Sequence, residues 1–145
     1  MSPKPKFADE WPALAQVANH ILAARVAGFP AAVEAGKMTP EAAARGIRIS
    51  TALATLWQAV TRRTDIPPLD AKWSEMADDL ATAAARAAGK QMPAGEDYPA
   101  CVAALAWHAQ PWMPGAPTAR IAAIHLINQS ARAMQAVAQK MKEAA

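Results

Sequence analysis

Cys101, His108 and His125 are the side chains in this 145-residue chain whose chemistry could hold a metal, since a thiolate and two imidazoles that converge can bind zinc. Cys101 and His108 stand seven apart, on one helical face, and His125 could approach from a later helix. No Cys-x-x-Cys or His-x-x-x-His pair accompanies them, so they read as packing and surface residues, and no metal or other cofactor is expected. Asp78 and Asp79 are adjacent carboxylates, but they fall on the polar side of a helix, where such pairs are solvated. General acid–base work would need a cleft around them. The chain contains no Gly-x-Ser-x-Gly elbow, phosphate-cradling glycine loop or His-Glu-x-x-His helix. The expectation is a protein that is not an enzyme and has no catalytic residues. A pocket lined by His108, His125 and carboxylates, between the first two helices and the last, would be needed to reverse it.

Positive charge is unevenly distributed. Residues 37–64 carry five basic side chains against one acidic, whereas residues 65–97 carry three basic against seven acidic. Arg45, Arg48 and Arg62 share a helical face with Arg63 beside the last, an arrangement that could bind nucleic-acid phosphates by displacing counterions. The same face could instead be solvated, or complement the acidic segment within the molecule. A net charge of only +3 gives little long-range attraction.

Five tryptophans stand beside one tyrosine and two phenylalanines. Trp57, Trp73 and Trp107 fall near apolar stripes and read as core. Trp112 differs, because Pro111-Trp112-Met113-Pro114 is a short apolar segment between helices. There Trp112 and Met113 could anchor a partner protein, or fold back over the bundle to cover its core.

Proline and glycine mark out the elements that must carry these residues. A bent helix is expected from Pro12 to about Ala35, with Pro30 as the kink. Gly36 suits the left-handed position after a helix end. Thr39-Pro40-Glu41 then supplies an N-cap, a first-turn proline and a carboxylate at the positive helix end. A turn of only Gly36 to Met38 forces the next helix, Pro40 to about Arg63, to run antiparallel. Gly46 inside that helix is a weakness of about 1 kcal/mol relative to alanine, unless a neighbour needs the room.

Asp65-Ile66-Pro67-Pro68 ends the hairpin. Asp70 is placed to cap a third helix to about Ala88, stopped by Gly89, and Lys90 to Asp97 reads as loop. Tyr98-Pro99 opens a fourth helix, Pro111, Pro114 and Pro117 make a stiff extended connection, and Thr118 is placed to cap a fifth. Ile121, Ile124, Ile127, Ala131, Met134, Ala138 and Met141 are the apolar residues expected to seat that last helix.

The hairpin segment, Phe29-Pro30-Ala31-Ala32-Val33 through Gly36-Lys37-Met38-Thr39 to Ile47-Arg48-Ile49, resembles one met in short helical proteins of bacteriophages and prophages. Its pattern there is aromatic-Pro-x-x-Val-x-x-Gly-Lys-Met-Thr, then Ile-x-Ile-Met. The likeness covers about residues 25–53, and it names no activity. Ser50 stands where methionine is usual, and Gly46 where a charged residue is usual. The resemblance implies a helical hairpin in a phage- or prophage-type protein.

Taken together, the fold class is all-α: about five helices, with a flexible tail over 1–10 and one domain over 11–145, its hairpin at 12–63 and three further helices across 70–144. Apolar residues at 53% and charged ones at 19% argue against disorder. The basic N-terminus has no apolar run after it, no stretch is long enough to span a membrane, and a lone thiol makes no internal disulfide. Those features point to a cytoplasmic protein without a membrane partner. The function expected is binding of another macromolecule, a component of DNA metabolism or a host defence protein, with direct nucleic-acid binding as the alternative. Alanine-rich helices leave shallow apolar faces, so homo-oligomers are also open, with no charged-flank heptad fixing a stoichiometry.

Overall fold

The computed structural model describes residues 3–88 and 97–145, and it is all-helical. The helices are α1 (Trp11–Glu34), α2 (Pro40–Arg62), α3 (Trp73–Ala87), α4 (Tyr98–Ala109) and α5 (Arg120–Ala144). None is long and apolar enough to cross a membrane. The Gly89 stop and most of the 90–97 loop lie outside the described residues.

Local chemistry builds the hairpin as its residues predict. Lys37 N–H donates to Ala32 O and Gly36 N–H to Val33 O, with Gly36 at φ +71°. This is a Schellman ending, and glycine takes its left-handed position without steric cost. Three residues on, Thr39 Oγ1 accepts from Ala42 N–H at 3.1 Å and caps α2. The helices run antiparallel: Trp11 O meets the Thr61 hydroxyl at one end, and Arg25 meets Gly46 and Ser50 towards the other. The α1 helix continues through Pro30.

The core runs through all five elements, with Leu14 and Ile21 of α1, Leu53, Leu56 and Trp57 of α2, Met76 and Leu80 of α3, Val102 and Leu105 of α4, and Ile121 of α5. Each such side chain contributes about 1.5–3 kcal/mol on burial. Gly46 does give a neighbour room. A Cβ there would stand 2.8 Å from Cε2 of Phe29, so the glycine lets that ring lie against α2.

Three expectations are corrected. Lys72, not Asp70, is the N-cap of α3: Glu75 reaches back to accept the Lys72 N–H at 3.0 Å, while the Asp70 carbonyl accepts from Arg48. Ala119, not Thr118, precedes α5, because the Thr118 carbonyl is engaged by Trp112 N–H. In the N-terminal stretch Ala8 is buried, and its carbonyl accepts from His108 Nε2 at 2.7 Å and Trp11 Nε1 at 3.2 Å.

The third concerns the apolar face of α5. It seats on the bundle through Ile121 and His125, both buried, and Gln129 donates to Asp65. Ile127 lies six residues beyond Ile121, about 240° around the helix, so it faces away. Ile127, Met134 and Met141 retain 67%, 73% and 69% of their accessible surface.

Candidate functional site

The chain between α4 and α5 is a closed loop rather than an extended strut. Arg120 N–H donates to Gln110 O at 2.7 Å and Trp112 N–H to Thr118 O at 3.3 Å, pairing Pro111 with Ala119 as an antiparallel bridge. Inside it, Ala116 N–H donates to Met113 O at 3.0 Å. Pro114 and Gly115 occupy the two middle positions of that turn, and Gly115 has φ +79°. Proline second and a left-handed glycine third is the type II pattern. The Pro-Gly dipeptide carried this signal in the sequence.

Arg120 holds the base of the loop. Its Nη1 donates to Trp107 O at 2.6 Å, its guanidinium carbon lies 3.9 Å from the Trp107 ring centroid, and Ala119 beside it is buried. Trp112 and Met113 are displayed on this clamped loop, 50% and 49% exposed. They do not fold back to seal the core. Beside them Pro111, Ala116 and Pro117 wall a groove of about 440 Å³ against Trp73 and Ala77 of α3. An aromatic and a thioether fixed next to an apolar groove offer contact area at little ordering cost.

The four arginines divide into two pairs. Arg48 makes a fork with Glu75 at 2.7 and 3.2 Å and reaches the Asp70 carbonyl, and Arg45 lies 3.6 Å from the same carboxylate. These contacts, with the Lys72 N–H, hold the Glu75 carboxyl down to about 2, the Arg48 hydrogen bond being the largest cause. Arg62 and Arg63 are exposed at the far end of α2. They sit roughly 25 Å from Arg45 along the helix.

Sequence reasoning missed Arg25. Its Nη1 and Nη2 pair with both oxygens of Asp79 at 2.9 and 2.7 Å, and Nη1 also meets Gly46 O and Ser50 Oγ. The two adjacent aspartates therefore have separate fates, Asp79 locked to α1 and Asp78 exposed. Arg25 borders a cleft of about 540 Å³ whose other polar walls include Arg45, Glu75, Asp78, Arg86 and Tyr98. Burial raises the Tyr98 phenol above its ordinary range.

His108, His125 and Cys101 do not converge. The His108 ring donates to Ala8 O and the His125 ring to Thr64 O, while Cys101 is buried and its thiol is pushed up by desolvation. No group of three metal-ligating side chains occurs among the described residues. Comparison of the chain with protein-family models, curated proteins and solved structures returned no match.

Proposed function

We propose that this chain is a non-enzymatic helical protein of phage or prophage type that acts in the cytoplasm by binding another macromolecule, a component of DNA metabolism or a host defence protein. The display of Trp112 and Met113 on a loop fixed at both ends carries this reading. Large apolar side chains held rigidly in water are the residues that dominate protein–protein affinity. The likeness of residues 25–53 to phage and prophage hairpins supports the setting.

Affinity capture with the full chain from a bacterial host lysate tests it. Proteins retained by the wild type should be lost with Trp112→Ala and reduced with Met113→Ala, while both variants keep the wild-type helical spectrum. Capture that is indifferent to Trp112, or none at all, would overturn the reading.

Direct nucleic-acid binding remains as the alternative, now centred on Arg62 and Arg63, because Arg45 and Arg48 are engaged with Glu75. It predicts retardation of DNA or RNA at low salt that weakens steeply as salt rises and falls when Arg62 and Arg63 become glutamine.

A further inference from the structure

His108 ties the N-terminal segment to the bundle through one ring nitrogen. Its Nε2 lies 2.7 Å from the Ala8 carbonyl, a hundred residues away in sequence. A carbonyl only accepts, so Nε2 carries the proton and Nδ1 is left as a bare lone pair. That second nitrogen is buried and has no polar partner among the described residues. The ring packs edge-to-face with Trp57 and Trp107, at 5.2 and 4.8 Å between centroids.

The tied segment is lightly attached. Of residues 3–10 only Ala8 is buried, and the bonds from Ala8 N–H to Pro5 O and from Glu10 N–H to Phe7 O stay within the segment. Its principal links to the bundle are the Ala8 side chain, the Ala8 carbonyl shared by His108 and Trp11 Nε1, and the partly buried Phe7 ring. Phe7 has φ +69°, a left-handed conformation that is costly for a bulky side chain, so lifting the segment relieves strain.

We infer that residues 5–10 form an acid-released strap, held down by neutral His108 and lifted when the ring takes a second proton. That proton can land only on Nδ1, where the new N–H has no acceptor and the new charge no water. The charged groups around the ring do not accommodate it. Arg120 at the start of α5 and Lys4 of the N-terminal segment oppose a further positive charge. Asp9, the acid that would favour it, is already paired with Lys4 at 2.7 Å. Trp57 of α2 and Trp107 of α4 bring no charge.

Opening the strap is the smallest movement that brings water to Nδ1, because the ring's other neighbours belong to packed helices. The open form binds the second proton more readily than the closed one. Opening is therefore independent of pH above about 6.5, and it rises about tenfold per unit below that. An open strap uncovers the His108 ring and the apolar underside of Phe7. It uses neither Trp112 nor Met113, and so is independent of the function proposed for them.

Amide hydrogen exchange of the full chain, followed by NMR from pH 8 to 5 and corrected for the intrinsic pH dependence of exchange, reads the opening directly. Protection of the Glu10 N–H should be constant above about pH 6.5 and fall about tenfold per unit below it, with the helical circular dichroism unchanged. Resonances of residues 5–10 should shift with the same midpoint as those of the His108 ring, a comparison that needs no variant. His108→Gln keeps a side-chain N–H donor but cannot titrate, so its strap protection should be level across the range. His125→Gln, which removes the other buried histidine, should keep the wild-type response. Strap protection that ignores pH, a fall that persists in His108→Gln, a response abolished by His125→Gln, or α2 amides exchanging as fast as Glu10 would each overturn the proposal.

Discussion

Phe29 rests its ring edge on Gly46, where a Cβ would come within 2.8 Å of Cε2, and Arg25 beside it donates to the Gly46 carbonyl and the Ser50 hydroxyl. Gly46 and Ser50 thus both serve the packing of α1 against α2.

Replacing Gly46 by alanine sets two effects against each other. Alanine is the better helix former by about 1 kcal/mol, but displacing a packed ring costs about 1–3 kcal/mol. Gly46→Ala should therefore lower stability slightly or leave it unchanged. In a Phe29→Leu background, where the ring edge is gone, the same change should stabilise by about 1 kcal/mol. Urea melts of the four proteins close the cycle, and equal effects in both backgrounds would count against the contact.

Arg25 and Asp79 form a bidentate pair joining α1 to α3, with side chains only 17% and 14% exposed. Removing one partner leaves the other shielded from water and uncompensated, a loss of about 3 kcal/mol. Asp79→Leu and Arg25→Met should each be destabilising by that order, and the double variant should recover most of it. Additive losses in thermal melts would show that the pair is not coupled.

The hairpin was legible in the sequence because its determinants are local: Gly36, Thr39 and Pro40 each solve a backbone problem within three or four residues. Contacts that span the chain were not. Nothing near Ala8 marks its carbonyl as the acceptor for His108, and Asp70 looked like a cap because it is a good capping residue, although Glu75 takes that role from inside the helix. The apolar spacing of α5 was visible, but which face meets the bundle depends on how the 110–119 loop delivers Arg120 to the helix start. Of the candidate site, Trp112 and Met113 could be singled out from neighbouring prolines, whereas the clamp by Arg120 depends on Trp107, thirteen residues away.

His108 should make stability depend on pH. Its Nε2–H donates to the Ala8 carbonyl, its Nδ1 is buried without a partner, and burial holds the ring below its ordinary value. The unfolded chain therefore binds the proton more readily. The stabilisation is complete above the unfolded value of about 6.5 and is lost as pH falls below it towards the folded value. Urea melts at stepped pH should show this fall in the wild type and a flatter profile in His108→Gln. At pH 8 that variant should be weaker by about 1 kcal/mol, for one hydrogen bond.

Glu75 acts lower on the pH scale and binds α2 to the start of α3. Its carboxyl, held at about 2 by Arg48, the Lys72 N–H and Arg45, is ionised in the folded protein where an ordinary glutamate at 4.5 is already half protonated. The contribution is thus fully present above about 4.5 and disappears as pH falls from there towards 2. Glu75→Gln keeps the shape of the side chain but cannot ionise, so its stability should approach that of the wild type as pH drops through this window and lie below it at neutral pH. Titrating the Glu75 side-chain carbon by NMR supplies the direct check. An ordinary midpoint would mean that Arg45 and Arg48 are not committed to this carboxylate, and all four arginines would then be available to bind phosphate.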